Sequence, residues 1–247
     1  MMPPPDISVI LPCFNEEENL EPLVQELIDA VGPLRRPYEI IFVDDASTDG
    51  SLAKLHTLQE EHPEIRVLRH RMNSGESAAQ LTGFRHARGQ VLITMDSDLQ
   101  NDPADIPAML VALESCEVVC GVRRRREDSW VKRASSRLAN GFRNAVLHDH
   151  IHDAGCTFRA FRRATIESDL IPFKGLHRFL PTIWKIHGFR VRETEVNHRP
   201  RLKGQSKYGL WNRLGVGIHD ILAIRWYHRR HIPVDRVLHP DSNGRIP

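Results

Sequence analysis

Short apolar runs and amphipathic stretches alternate along the first half of the chain. Residues 7–11 are apolar and end at Pro12. Residues 15–19 are acidic, and Leu20, Leu23, Val24, Leu27, Ile28 and Val31 then recur at helical spacing until Gly32-Pro33 stops them. Residues 39–43 form a second run. Asp44-Asp45-Ala46-Ser47-Thr48-Asp49-Gly50 follows, where Ser47 or Asp49 can cap the next helix. Residues 65–68 form a third, after which Asn73-Ser74-Gly75 opens a helix to about Ala87. Residues 91–95 form a fourth, closed by Asp96-Ser97-Asp98, and Pro103 sits at N1 of the next helix. Residues 118–120 form a fifth. Such runs, alternating with helices, predict an α/β fold with a mostly parallel sheet covered on both faces. Open sheets of this kind bind ligands outside the carboxyl ends of their strands, which is where the polar residues fall.

The rhythm changes after residue 121. Residues 129–147 read as a basic amphipathic helix, 156–161 as a strand, 179–186 as a helix and 191–196 as extended. Residues 208–231 read as a long helix with Trp211, Leu214, Ile218, Leu222 and Trp226 near one face. Residues 232–247 are polar and contain proline, with no readable structure. No internal repeat or low-complexity tract appears.

Charge sharpens this division. The 247 residues carry a formal charge of only +2. Residues 1–120 hold 8 Lys/Arg against 21 Asp/Glu, whereas residues 121–247 hold 26 against 11. Arginine supplies 28 of the 34 basic residues, which suits forked binding of phosphate or carboxylate. Aromatic residues make up 6%, so an aromatic-platform nucleic-acid binder is excluded and no nucleic-acid partner is expected. Cys13, Cys116, Cys120 and Cys156 show no metal-ligand spacing and read as reduced, buried thiols. The first residues lack a signal peptide's basic and apolar regions, and no apolar run nears the ~20 residues of a membrane span. The expectation is a soluble or peripheral protein of the cytoplasm.

Asp96-Ser97-Asp98-Leu99-Gln100 carries the most chemistry. In an extended segment Asp96 and Asp98 point the same way, and Gln100 repeats the direction. Such oxygens suit Mg²⁺ or Mn²⁺, which complete their shell with water and substrate phosphate. The same pair could instead cap the helix at Pro103. Asp44-Asp45 is a second acidic pair on the same sheet edge. It is able to accept hydrogen bonds from a base or a ribose, or simply to hold a turn.

Together these stretches resemble the large inverting glycosyltransferase family with the GT-A fold. The matching pieces are Ile10-Leu11-Pro12-Cys13-Phe14-Asn15-Glu16-Glu17, Val43 to Gly50, Asn73-x-Gly75 with Ala78-Ala79, and Asp96 to Gln100. The last motif resembles the branch typified by dolichol-phosphate mannose synthase. So do Gly121-x-Arg123, Arg133-x-x-Ser136, Asp153-x-Gly155-Cys156, Arg199-Pro200-Arg201 and Gly204-Gln205-Ser206-Lys207. The resemblance covers residues 7 to about 215. It implies a single GT-A domain over residues 1–231, with a nucleotide-sugar and metal half (7–120), an acceptor and membrane-facing half (121–231) containing C-terminal amphipathic helices, and a tail at 232–247.

The resemblance also implies roles. Pro12, Phe14, Glu16, Asp44, Asp45, Asp96, Ser97 and Asp98 would hold the nucleotide sugar. Asp96, Asp98 and Gln100 would bind Mg²⁺ or Mn²⁺. Asp98, Arg123 and Arg133 would be catalytic, and Arg133, Arg201 and Lys207 would take the acceptor phosphate. The implied reaction moves a hexosyl unit from a nucleoside diphosphate sugar to a polyprenyl phosphate, undecaprenyl or dolichyl, with inversion. An ionised phosphate acceptor needs little base help. A relative acting on a saccharide hydroxyl would need a base, for which Asp153 is the candidate. A non-catalytic nucleotide-sugar-binding protein is the remaining alternative. Two departures stand out: Glu76 follows Gly75 where relatives often carry lysine, and Phe14 replaces a frequent tyrosine. His177-Arg178 and Asn197-His198 read as structural. The long helix suits anionic lipid through its Trp, Tyr and Arg, which implies a peripheral position at the inner membrane face, with a homo-oligomer also open.

Overall fold

A computed structural model describes residues 4–124, 141–167, 170–200 and 211–232. The first half runs β1 (Ile7–Cys13), α1 (Glu17–Val31), β2 (Tyr38–Asp44), α2 (Ser51–Glu61), β3 (Ile65–Arg69), α3 (Glu76–His86), β4 (Val91–Thr94), α4 (Ile106–Ala112) and β5 (Val118–Arg123). The second half contributes a helix whose described part is residues 141–147 (α5), β6 (Arg159–Arg162), α6 (Ala164–Glu167), α7 (Leu180–Ile186), β7 (Val191–Val196) and α8 (Trp211–Arg230).

The strands form one seven-stranded sheet in the order β3-β2-β1-β4-β6-β5-β7. Every pairing is parallel except those of β6, which runs antiparallel to β4 and β5. The all-apolar character of the central strands follows from burial on both sides. Val9, Leu11, Ile40 and Phe42 join the core under α1, α2 and α4. Ile10, Ile41 and Val43, one residue out of phase, join the core under α3, α7 and α8. In that second core Phe84 meets Phe161 edge-on at 5.3 Å, and Phe161 lies 4.8 Å from Trp184.

Several expectations shift by a few residues. The strand read at 156–161 is β6, Arg159–Arg162, with Phe158 adding one hydrogen bond from Gly121 N to its carbonyl. Pro103 opens a 3-10 turn, and α4 starts only at Ile106, where Pro107 takes the N1/N2 position. Asp102, not the Asp96/Asp98 pair, caps that turn by accepting from Ala104 N. Of the two cap candidates before α2, Asp49 accepts from Ser51 N, while Ser47 instead accepts from Asn15 N across the sheet edge. The four cysteines are free and buried, and burial pushes the Cys13 and Cys120 thiols up to about 12. No described helix is long and apolar enough to cross a membrane.

Candidate active site

The carboxyl ends of β1, β2 and β4 lie side by side, because Cys13 pairs with Asp44 and Ile10 with Thr94. The loops leaving them are tightly bent. Asn15, Ala46 and Leu99 all have positive φ, at 56°, 61° and 62°. For Ala and Leu this left-handed geometry is unfavourable, and it recurs where structures hold functional groups in place. Ser97 Oγ donates to the carbonyl of Pro12 at 2.8 Å, tying the β4 loop to the β1 loop. The Ser97 hydroxyl is therefore committed to the scaffold.

The β2 loop is fixed by its own acids. Asp44 is fully buried, accepts from Ser47 N and faces Arg69 Nε at 3.8 Å. Asp45 is 4% exposed and accepts from Ser74 N at 2.8 Å and Gly75 N at 2.7 Å, with His70 Nδ1 also at 2.7 Å. Its two oxygens thereby anchor the turn that opens α3. Gly75 sits in that turn at φ 88°, a conformation that costs glycine nothing. Pro12, Phe14 and Glu16 are half-buried on the neighbouring loop, where Glu16 accepts from Asn19 Nδ2 at 2.7 Å.

The β4 loop carries the acidic pair. Asp96 N donates to Asn101 Oδ1, and Asp98 Oδ1 accepts from Gln100 N. Positive φ at Leu99, which is 8% exposed, breaks the extended path after Asp98. The simple alternation that would aim Gln100 alongside both carboxylates therefore does not hold. Gln100 turns towards the segment after β7: its Nε2 approaches the Arg199 carbonyl at 3.4 Å, and Arg199 N donates to its backbone oxygen at 2.8 Å.

Glu76, the first residue of α3, faces this pair. Burial, then the neighbouring charge of Asp98, raises the Asp96 carboxyl to about 6. Burial and then Asp96 raise Glu76 to about 8, although 37% of its side-chain surface remains open to solvent. Three carboxyls thus crowd one edge, and their mutual repulsion is what a divalent cation would relieve. Among the described residues no three His, Cys, Asp or Glu side chains form a ready-made cage. Mg²⁺ and Mn²⁺ take one or two carboxylates and leave the rest of the shell to water and phosphate.

Across the edge, Arg123 at the end of β5 grips Asp153. Nε and Nη2 donate to the two carboxylate oxygens, both at 2.7 Å, and Arg123 is 16% exposed on its side chain against 8% for Asp153. Burial opposes the guanidinium charge, but the Asp153 hydrogen bonds outweigh it and hold Arg123 above the usual arginine range. A Cβ on Gly155 would lie 3.2 Å from Arg123 Nη2, so glycine there leaves the guanidinium its place.

Pro12, Phe14, Glu16, Asp44, Asp45, Asp96, Ser97, Asp98, Gln100 and Arg123 thus share one edge of the sheet. Arg133, Arg201 and Lys207 lie outside the described residues. Sequence reasoning missed the contact of Glu76 with His177, whose Nε2 lies 3.4 Å from Glu76 Oε2. It also missed Arg159, a fully buried guanidinium on β6 that donates to the carbonyls of His177 and Ala154. A lone arginine inside the apolar stretch Thr157-Phe158-Arg159-Ala160-Phe161 was the available signal.

Comparison with known proteins decides what this edge belongs to. Residues 8–169 match the family described as glycosyl transferase family 2. The chain belongs to glycosyl transferase family 2. It is a glycosyltransferase of GT-A fold, in the polyprenyl-phosphate sugar transferase branch. Undecaprenyl-phosphate 4-deoxy-4-formamido-L-arabinose transferase of Aeromonas hydrophila is 36% identical over 220 residues, covering 88% of this chain and 67% of that protein. Dodecaprenyl-phosphate galacturonate synthase of Rhizobium johnstonii is 34% identical over 232 residues, covering 91% and 68%. Among solved structures, glucosyl-3-phosphoglycerate synthase of Mycobacterium tuberculosis, in complex with Mn²⁺, UDP and glucosyl-3-phosphoglycerate, superposes with a TM-score of 0.66 at 19% identity. The match covers 91% of this chain and 80% of that one. At that identity the likeness speaks for the GT-A fold.

Proposed function

We propose that this family 2 glycosyltransferase moves a hexosyl unit from a nucleoside diphosphate sugar to a polyprenyl phosphate, with inversion and with Mg²⁺ or Mn²⁺. The relatives named above act on undecaprenyl and dodecaprenyl phosphate, which supports the lipid acceptor. The observation that carries the choice of acceptor is the Arg123–Asp153 clasp. A hydroxyl acceptor must lose a proton to a base, and Asp153 is the candidate for that work. Both of its oxygens are engaged by a guanidinium, which lowers a carboxylate's basicity. A phosphate monoester arrives ionised and needs positioning rather than deprotonation.

In this reading Pro12, Phe14 and Glu16 line the nucleoside. Asp44, Asp45 and Ser97 act chiefly by holding the loops that shape its site. Asp96 and Asp98 would hold the metal, and Gln100, whose Nε2 is turned to the Arg199 carbonyl, would join them only through its amide oxygen. The cation, when bound, supplies charge neutralisation at the donor diphosphate. Arg123, oriented by Asp153, offers its remaining N–H groups to a phosphate, joined by Arg133, Arg201 and Lys207. Gathering donor and acceptor anions on one edge lets the acceptor oxygen attack the anomeric carbon opposite the leaving diphosphate.

The protein would meet its lipid from the membrane surface. Ile218, Leu222 and Trp226 recur every fourth residue of α8 and are 45%, 53% and 65% exposed. Arg229 falls on the same stripe, which favours anionic headgroups. Co-flotation with vesicles containing phosphatidylglycerol, lost in Leu222→Glu/Trp226→Glu, tests this contact. Labelled UDP- and GDP-sugars incubated with undecaprenyl phosphate and Mn²⁺ test the reaction. Label is expected in the lipid fraction. Label found only on an added oligosaccharide would overturn the acceptor assignment.

A further inference from the structure

A hydrogen-bonded couple beside Asp96 has no part in the reaction as described so far. Ser77 Oγ accepts from the backbone N–H groups of Gly175 at 3.1 Å and His177 at 3.4 Å. Ser77 Oγ also pairs with His177 Nδ1, 2.8 Å away. At the far end of the ring, Nε2 faces Glu76 Oε2 at 3.4 Å. The loop that carries the ring is fixed too, because Arg159 Nη1 donates to the His177 carbonyl at 2.6 Å. Arg178 Nε donates to Nε2 at 3.3 Å. Burial, then the charges of Arg178 and Arg159, push His177 down to about 3, so the imidazole stays neutral.

Glu76 is thus a carboxyl at the mouth of α3 that meets a neutral imidazole through Oε2 and accepts from Gln80 Nε2 at 3.3 Å through Oε1, with 37% of its side chain still exposed to solvent. It lies between the loop anchored by Asp45 and the Asp96/Asp98 pair. A carboxyl there brings no positive charge to the donor diphosphate, so phosphate is not its ligand. Hydroxyl and N–H groups are what its oxygens can take. We propose that Glu76 reads the hydroxyl or N–H donors of the donor's sugar, and that His177 is the positioning residue that aims it. This rests on the donor-site reading above.

The test separates sugar binding from nucleotide binding. Dissociation constants are measured with Mn²⁺ for UDP and UDP-glucose, and for GDP and GDP-mannose. The gain on adding the sugar is compared between variants. In Glu76→Ala the gain is expected to fall by about tenfold, while the diphosphate itself binds within about twofold of wild type. His177→Ala should lose as much, and Glu76→Ala/His177→Ala should lose no more than either alone. His177→Gln, which keeps a polar amide near the Nε2 position, should recover part of the gain. Glu76→Gln serves if the alanine variant fails to fold. The proposal is overturned if diphosphate and nucleotide sugar weaken together, if the two single effects add in full, or if wild type gains nothing from any sugar. Failure of wild type to bind either diphosphate with Mn²⁺ would instead bring down the donor-site reading itself.

Discussion

The two halves of this glycosyltransferase treat their charges in opposite ways. In the acidic half, the carboxylates of the β2 and β4 loops are held mostly by backbone N–H groups: Ser47 for Asp44, Ser74 and Gly75 for Asp45, Gln100 for Asp98. Amides fix a carboxylate's position without cancelling its charge. Among the described residues of the second half, most arginines are already paired within the protein. Arg123 is tied to Asp153, Arg143 to Asp149, Arg190 to Glu117, and Arg199 to Glu26 and Asp102. Arg159, Arg162, Arg163 and Arg225 donate to backbone carbonyls. The excess of 15 positive charges after residue 120 is thus no measure of open phosphate-binding surface. The β2 and β4 loops hold their carboxylates largely through amides, whereas the described arginines of the second half are mostly paired with carboxylates and carbonyls.

The sharpest way to break this contrast is to remove a carboxylate charge from the β4 loop. Asp98→Asn keeps the shape of the β4 loop and its hydrogen bond to Gln100 N. It should reduce metal-dependent transfer by about a thousandfold if the carboxylate serves the diphosphate site. Its thermal stability should equal or exceed wild type, because a like charge leaves the neighbourhood of Asp96. Steady-state turnover and a melting curve check both halves of the statement. An active Asp98→Asn enzyme would sink the metal assignment.

The second test concerns the basic half. Arg123→Met strands Asp153, 8% exposed on its side chain, without its cation. Breaking a buried pair on one side costs about 3–5 kcal/mol, while replacing both members is often near neutral. Discounted for the 16% exposure of Arg123, the single variant should lose about 3 kcal/mol by urea unfolding. Arg123→Met/Asp153→Leu should recover most of it. Both variants should lose transfer to lipid phosphate, because Arg123 is placed there as a phosphate ligand. Full activity in the double variant would make the clasp purely structural.

How far the sequence displays this arrangement follows from the same contrast. The five runs between residues 7 and 120 become strands because central parallel strands are buried on both faces, and continuous apolar character is hard to mistake. The site edge is legible for the same reason: polar residues after a buried strand have few places to go. The path to Gln100 is not legible because alternation assumes an extended chain, and nothing in Leu99 announces a left-handed turn. Glu76 and His177 were not paired because they lie 101 positions apart in the chain and meet only through α3 and the 3-10 turn Leu176–Arg178. β6 was placed early because Cys156, Thr157 and Phe158 are as buried as the strand itself without being paired throughout. In the second half, arginines in apolar stretches look like surface positions, whereas Arg159 and Arg143 are buried.

A smaller test asks whether the acids of the β2 loop act as scaffold. Asp45→Asn preserves shape but replaces a charged acceptor of two backbone N–H groups with a neutral amide. Charge-assisted hydrogen bonds are worth about 1.5–3 kcal/mol each, and only part of each is lost, so about 2 kcal/mol is expected. The turn at Ser74-Gly75 should loosen first, which hydrogen exchange at those amides and at Ala78 and Ala79 would report. Unchanged protection there would mean that Asp45 is not what holds the mouth of α3.

The smallest effect belongs to a pair that joins the halves at the surface. Arg190 Nε and Nη2 donate to Glu117, at 3.1 and 2.6 Å, and these hydrogen bonds hold Glu117 down at about 2. A carboxyl lowered in the folded state adds stability that is present in full above its unfolded value near 4.5. That stability is lost as pH falls from there towards 2. Both side chains are substantially exposed, so solvent and salt screen the pair and its contribution is small. Glu117→Gln should therefore shift the urea midpoint slightly at pH 7, less at pH 3, and hardly at all in 1 M NaCl. A shift of equal size under all three conditions would mean that packing against Arg190, rather than charge, links the two halves at that edge.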